Sequence, residues 1–156
     1  MRLLTFLLLS LLTFPSLAGE PQLSQNAPKD RPRSVRNLNS FDSAIAPYVA
    51  QAKSSYPSAK ARFLAGLPDG QIFFIITRIH DSVTFEQSFI RVISIEDGIV
   101  HGTIANDINR ISGYKNGDSY SFPESELLDW LITYPDGTEE GNFVGKFLDG
   151  YHGGGA

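Results

Sequence analysis

The side chains best suited to chemistry in this chain are acidic. Glu86 lies between Phe85 and Phe89, and Asp129 directly precedes Trp130, the only tryptophan. Two carboxylates among hydrophobic neighbours can serve as acid and base when burial drives their pKa values apart, with Asn106 orienting a substrate beside them. That arrangement would describe a small hydrolase or lyase. The structural expectation is different: Asp129 accepts backbone donors at a turn, and Trp130 fills the core within Leu127, Leu128, Leu131 and Ile132. It is the preferred reading, because an acidic pair alone is a weak motif.

His80, Asp81 and His101 offer imidazole chemistry. A zinc or catalytic centre needs three or four rigidly held ligands, and these histidines have no i, i+4 partner, so they read as solvent-facing strand residues. His152-Gly153-Gly154-Gly155 copies an esterase oxyanion loop, but no Gly-x-Ser-x-Gly elbow accompanies it. The 156 residues include no cysteine, which removes thiol nucleophiles, disulfides, iron–sulfur clusters and cysteine-based zinc sites. No catalytic residue, metal ligand or cofactor is therefore assigned. Glu86, Asn106, Asp129 and Trp130 remain as candidates for contact with a partner or ligand.

The composition narrows the class. Thirteen Lys and Arg against 17 Asp and Glu, with a pI near 5.3, argue against a nucleic-acid partner. Arg2, the uncharged run Leu3 to Phe14 and the small residues of Ser16-Leu17-Ala18 form the pattern of a secretory signal peptide over residues 1–18. The run is shorter than the roughly 20 apolar residues of a membrane span. The expected product is exported, periplasmic or secreted, has no membrane span after cleavage and begins at Gly19. Its only methionine leaves with the leader. Residues 19–40, with Pro21, Pro28 and Pro32 and a cluster of Lys and Arg, read as a basic flexible linker. The acidic bias of the remainder suits a solvated surface or a basic partner.

The elements follow from periodicity. Phe41, Ile45, Tyr48, Ala52, Phe63 and Leu64 recur at helical spacing, with a start near Ala44 or a kink at Pro47 and a restart at Pro57. Ile72 to Ile76 reads as a strand buried on both faces. Phe85 to Ile95 is a long strand in the middle of a sheet, and Asp97-Gly98 turns it into a third strand, Ile99 to Ile104. Asn116-Gly117 leads to a short strand at 118–122, Pro123 to Glu126 makes a bend or one helical turn, and Leu127 to Tyr134 forms another strand. Gly141 to Leu148 is a short helix, and residues 149–156 are a glycine-rich tail. The fold class is α+β: one domain over 41–148, with an N-terminal helical segment packed on a mostly antiparallel meander.

Several short motifs occur in order: Glu86-Gln87-Ser88-Phe89-Ile90, Gly102-Thr103-Ile104-Ala105-Asn106, Gly117-Asp118 and Leu128-Asp129-Trp130. Together with Ala44-Ile45 and Gly141-Asn142-Phe143 they resemble the YegJ-like family of small bacterial domains of unknown function, across residues 41–148. Ile108 stands where members often have proline, and Phe89 where tryptophan is common. The resemblance implies an exported domain without a known activity. Likeness to bacterial toxin-neutralising proteins suggests binding to a protein or envelope component. Physically, Gly102 suits a bulge or close approach, Asn106 an Asx turn or positive φ, and Gly117-Asp118 a tight turn.

Overall fold

The computed structural model describes the backbone of residues 35–150 and the side chains of residues 40–150. The expected leader, the linker before Val35 and the tail from Tyr151 lie outside the described residues. Helix α1 spans Val35–Ala65. Strands β1 (Ile72–His80), β2 (Phe85–Glu96), β3 (Ile99–Ile104) and β4 (Ser119–Pro123) follow. A 3-10 turn at Glu124–Glu126 then leads to β5 (Asp129–Thr133), β6 (Glu139–Gly141) and helix α2 (Phe143–Gly150). The strands form one antiparallel sheet in the order β4-β3-β2-β1-β5-β6. This is the α+β domain expected from the sequence, with β1 and β2 at its centre. Helical structure reaches back to Val35 and on to Gly150, beyond the expected 41–148.

Two elements differ from expectation. α1 does not restart at its prolines; it is one helix of 31 residues containing both Pro47 and Pro57. Each proline removes a backbone donor, but the turns around it are held by packing, which supplies most helix stability in proteins. Phe41 and Ile45 pack with Val144 and Phe147 of α2, while Ala52, Tyr56 and Ala59 enter the main core against the sheet. The two alanines are fully buried, so the helix lies close to the sheet. Leu64, expected on the buried stripe, is exposed. β6 was not expected from sequence; its three residues pair with Leu131–Thr133.

Local chemistry sets the turns. Asp97 and Gly98 both take positive φ, at 50° and 78°, as the two-residue hairpin between β2 and β3 requires. A bulge follows in β2, where the register with β3 shifts between Val92 and Ser94. The extra residue breaks the alternation, so Val92 and Ile95 share the core face while Ile93 is 66% exposed. Opposite the bulge, Gly102 pairs with Val92. A Cβ at Gly102 would overlap the Arg91 carbonyl oxygen and the Ile90 side chain, so the close approach anticipated for this glycine is present.

The main core joins α1 to one sheet face through Phe73, Ile75, Ile79, Ile90, Trp130 and Ile132. The other face carries Phe74, Ile76, Phe89 and Leu131, all buried. Gly102→Ala should cost about 2 kcal/mol or more, as overpacking of a close-packed site does. Thermal unfolding checks it; a shift below about 2 °C, small for a domain of this size, would show that β2 can move aside.

Candidate functional site

Register places the two candidate carboxylates apart. Glu86 stands opposite Ile79 of β1, and Asp129 opposite Ile76. Directly opposed residues share a face and successive residues alternate, so positions 76 and 79 point to different faces. Glu86 lies on the α1 side and Asp129 on the other. The sheet separates them, and they do not flank one substrate.

Each carboxylate is occupied by backbone donors. Glu86, 1% exposed, accepts the N–H of Asn109 at 2.9 Å and of Arg110 at 2.7 Å. It pins the connection between β3 and β4. Asp81 reaches the same connection: one oxygen accepts the N–H groups of Val83 and Thr84, and the other that of Ser112. The bonds from Thr84 and Val83 hold the Asp81 carboxyl below its ordinary range. Asn106 takes neither an Asx turn nor positive φ. Its Oδ1 accepts the Phe89 N–H across the sheet at 2.8 Å, extending the β2–β3 pairing by one rung after Ala105 has bonded the Phe89 carbonyl.

Asp129 serves α2. Its carboxylate accepts the N–H of Val144 at 2.6 Å and that of Trp130 at 2.8 Å, so a side chain on β5 caps the first turn of the C-terminal helix. Burial raises its pKa to about 6 against the lowering effect of the bonds from Val144, Trp130 and Phe143. Trp130 is buried at 2% exposure, and its indole Nε1 donates to the Ala52 carbonyl and to Ser55 Oγ, both at 3.1 Å. Phe73 and Phe143 flank its ring.

The histidines are not brought together. His80 pairs with Phe85 and His101 with Ser94, which puts them roughly 30 Å apart along β2 at about 3.3 Å per residue. His101 bonds Ser121 Oγ through Nδ1, while His80 packs on the Phe85 ring. Among the described residues, no three His, Cys, Asp or Glu side chains gather where a metal could sit.

A different place in the fold gathers basic side chains. The β1–β5 ladder stops at Ile76 and Asp129, so the last residues of β1 have a strand neighbour on one side only. A cleft of about 280 Å³ occupies the gap, between Lys53 of α1, the 77–80 end of β1 and residues 125–128. Its outer wall is tied to α1: Glu124 accepts Tyr56 Oη at 2.7 Å and Lys60 Nζ at 2.7 Å. Burial alone would raise the Glu124 carboxyl, but the Lys60 and Tyr56 bonds outweigh it and lower its pKa. Burial and the Glu124 bond push the Tyr56 phenol far upward. Sequence reasoning singled out His80 and not Lys53 or Arg78; an arginine inside the apolar run Ile72–Ile79 was the available signal.

Fold and site together define a small α+β domain whose buried acids act as structural fasteners. The chain belongs to a family described as an uncharacterized protein conserved in bacteria (DUF2314), whose model matches residues 56–150. That span holds the whole sheet, α2 and all four candidate residues. No curated protein and no solved structure matches the chain.

Two outcomes follow from this geometry. Asp129 has a folded pKa near 6 against 3.8 for the free group, so the folded state binds the extra proton between these values. Its contribution is greatest below about pH 4 and declines as pH rises to about 6, by roughly 2–3 kcal/mol. Urea unfolding of Asp129→Asn across this range should lack that decline, so that the gap between the two proteins narrows by roughly 2–3 kcal/mol as pH rises; parallel curves for the two proteins would contradict it. Trp130→Ala should cost about 3–5 kcal/mol, as aromatic truncation in cores does. A melting shift under about 2 °C would be incompatible with a core anchor.

Proposed function

We propose that the chain is an exported, non-catalytic domain of the YegJ-like type that binds a protein or envelope component, with neutralisation of an envelope-directed toxin as one concrete form. The observation that carries this reading is the division of Glu86 and Asp129 between opposite sheet faces, each bonded to backbone N–H groups. Paired-carboxylate catalysis needs both groups on one substrate. Export rests on the leader pattern of residues 1–18. The acidic excess after residue 66 favours a basic partner surface.

Two measurements test the reading. Amino-terminal sequencing of protein recovered from the producing cell's envelope fraction should begin at Gly19. Immobilised protein should retain a defined envelope component at low salt and release it as salt rises, because exposed charges are screened beyond a Debye length of about 8 Å at physiological ionic strength. Retention of nothing at low salt would count against binding. Turnover on a hydrolase substrate panel that Glu86→Gln abolishes would replace the reading with an enzymatic one.

A further inference from the structure

We propose that the cleft at the free end of β1 binds a carboxylate carried on an apolar group. Three basic side chains line it, Lys53, Arg78 and His80, and among the lining residues only Glu126 is acidic. Residues 67–156 hold five Lys and Arg against fourteen Asp and Glu, and Arg78 is one of those five.

Arg78 is the central feature. One terminal guanidinium nitrogen is paired with Asp42 of α1, and the Phe85 ring lies 4.4 Å from the guanidinium carbon. Both contacts fix the group in place, so little ordering remains when a ligand arrives. Its Nε–H is buried and has no acceptor among the described residues. A buried donor without a partner is a cost the fold ordinarily avoids. A carboxylate oxygen that reaches it through a small shift of the side chain would satisfy it, and the N–H groups that Asp42 leaves free keep the planar donor geometry that matches a carboxylate.

Lys53 adds a second cation held only loosely, its Nζ donating to the Ser125 carbonyl at 3.3 Å. The Thr77 hydroxyl is already engaged with the Glu126 carbonyl at 3.1 Å, which holds the wall rather than the ligand. Leu127 and Leu128 supply apolar surface. A volume of about 280 Å³ is at the small end of ligand clefts. It suits a short-chain organic acid or the terminal residue of a peptide with a free carboxyl. Both sources present the same chemistry.

Titration of the nitrogen-15-labelled protein with sodium hexanoate, and separately with N-acetyl-Ala-Ala-Leu carrying a free carboxyl, distinguishes them. Either acid should move the amide signals of residues 77–80 and 125–128, and the tighter one identifies the source. Arg78→Gln should weaken binding about tenfold and Lys53→Met up to about fivefold; the Lys53 side chain is exposed, so that variant tests the site without disturbing the fold. The proposal is overturned if neither acid moves these signals at millimolar concentration. It is equally overturned if 1-hexanol or the peptide amide binds as well as the acids, or if inorganic phosphate binds more tightly than both. These outcomes do not depend on whether a protein partner is retained.

Discussion

The indole of Trp130 sets how the layers of the domain meet. Its Nε1–H reaches out of the sheet to the Ala52 carbonyl, one turn before Pro57 removes a donor from α1. Ser55 accepts from the same indole and returns its own hydroxyl to the carbonyls of Gln51 and Ala52. A side chain of the sheet is thus bonded to the helix turn that precedes Pro57. The same stretch of α1 packs closely on the sheet through Ala52 and Ala59 and sets Tyr56 and Lys60 over Glu124.

Buried acids perform a related task elsewhere. Glu86 and Asp129 each bury a carboxyl group, which is costly unless donors surround it. In both cases backbone N–H groups provide the compensation, and the carboxylate thereby joins segments distant in sequence. Glu86 holds the long connection after β3, and Asp129 holds the start of α2 against β5. Residues with the composition of an active site can therefore be explained by the needs of loops and helix ends.

Local features were legible in the sequence because their causes are local. Asp97-Gly98 demanded a hairpin, Gly117-Asp118 a turn, and the change from helical to alternating periodicity marked the passage from α1 to the sheet. Gly102 announced a close approach that the register confirms. What was not legible depended on partners far along the chain. Parity along β2 was broken by the bulge, which exposes Ile93. The two prolines of α1 pointed to interruption, whereas packing against α2 and the sheet sustains the helix. The faces of Glu86 and Asp129 follow from pairing with β1, which no spacing within either strand reveals. The cleft draws on residues 53, 77–80 and 125–128, brought together only by the end of the β1–β5 ladder. The family match covers residues 56–150 and adds no activity to this reading.

The strand order also sets a sequence of assembly. β1 to β4 form an uninterrupted meander, joined between neighbours, and can pair as soon as each is available. β5 must return past three strands to reach β1, pairing residues 72–76 with residues 129–133. Closing that longer loop costs more chain entropy than closing a hairpin. Until it closes, the outer edge of Phe73 to Ile76 has unpaired backbone groups beside strongly apolar side chains, the combination that templates aggregation. β5 therefore acts as the cover for the central strand of its own sheet, and a product truncated before Asp129 would present that edge to every neighbouring molecule.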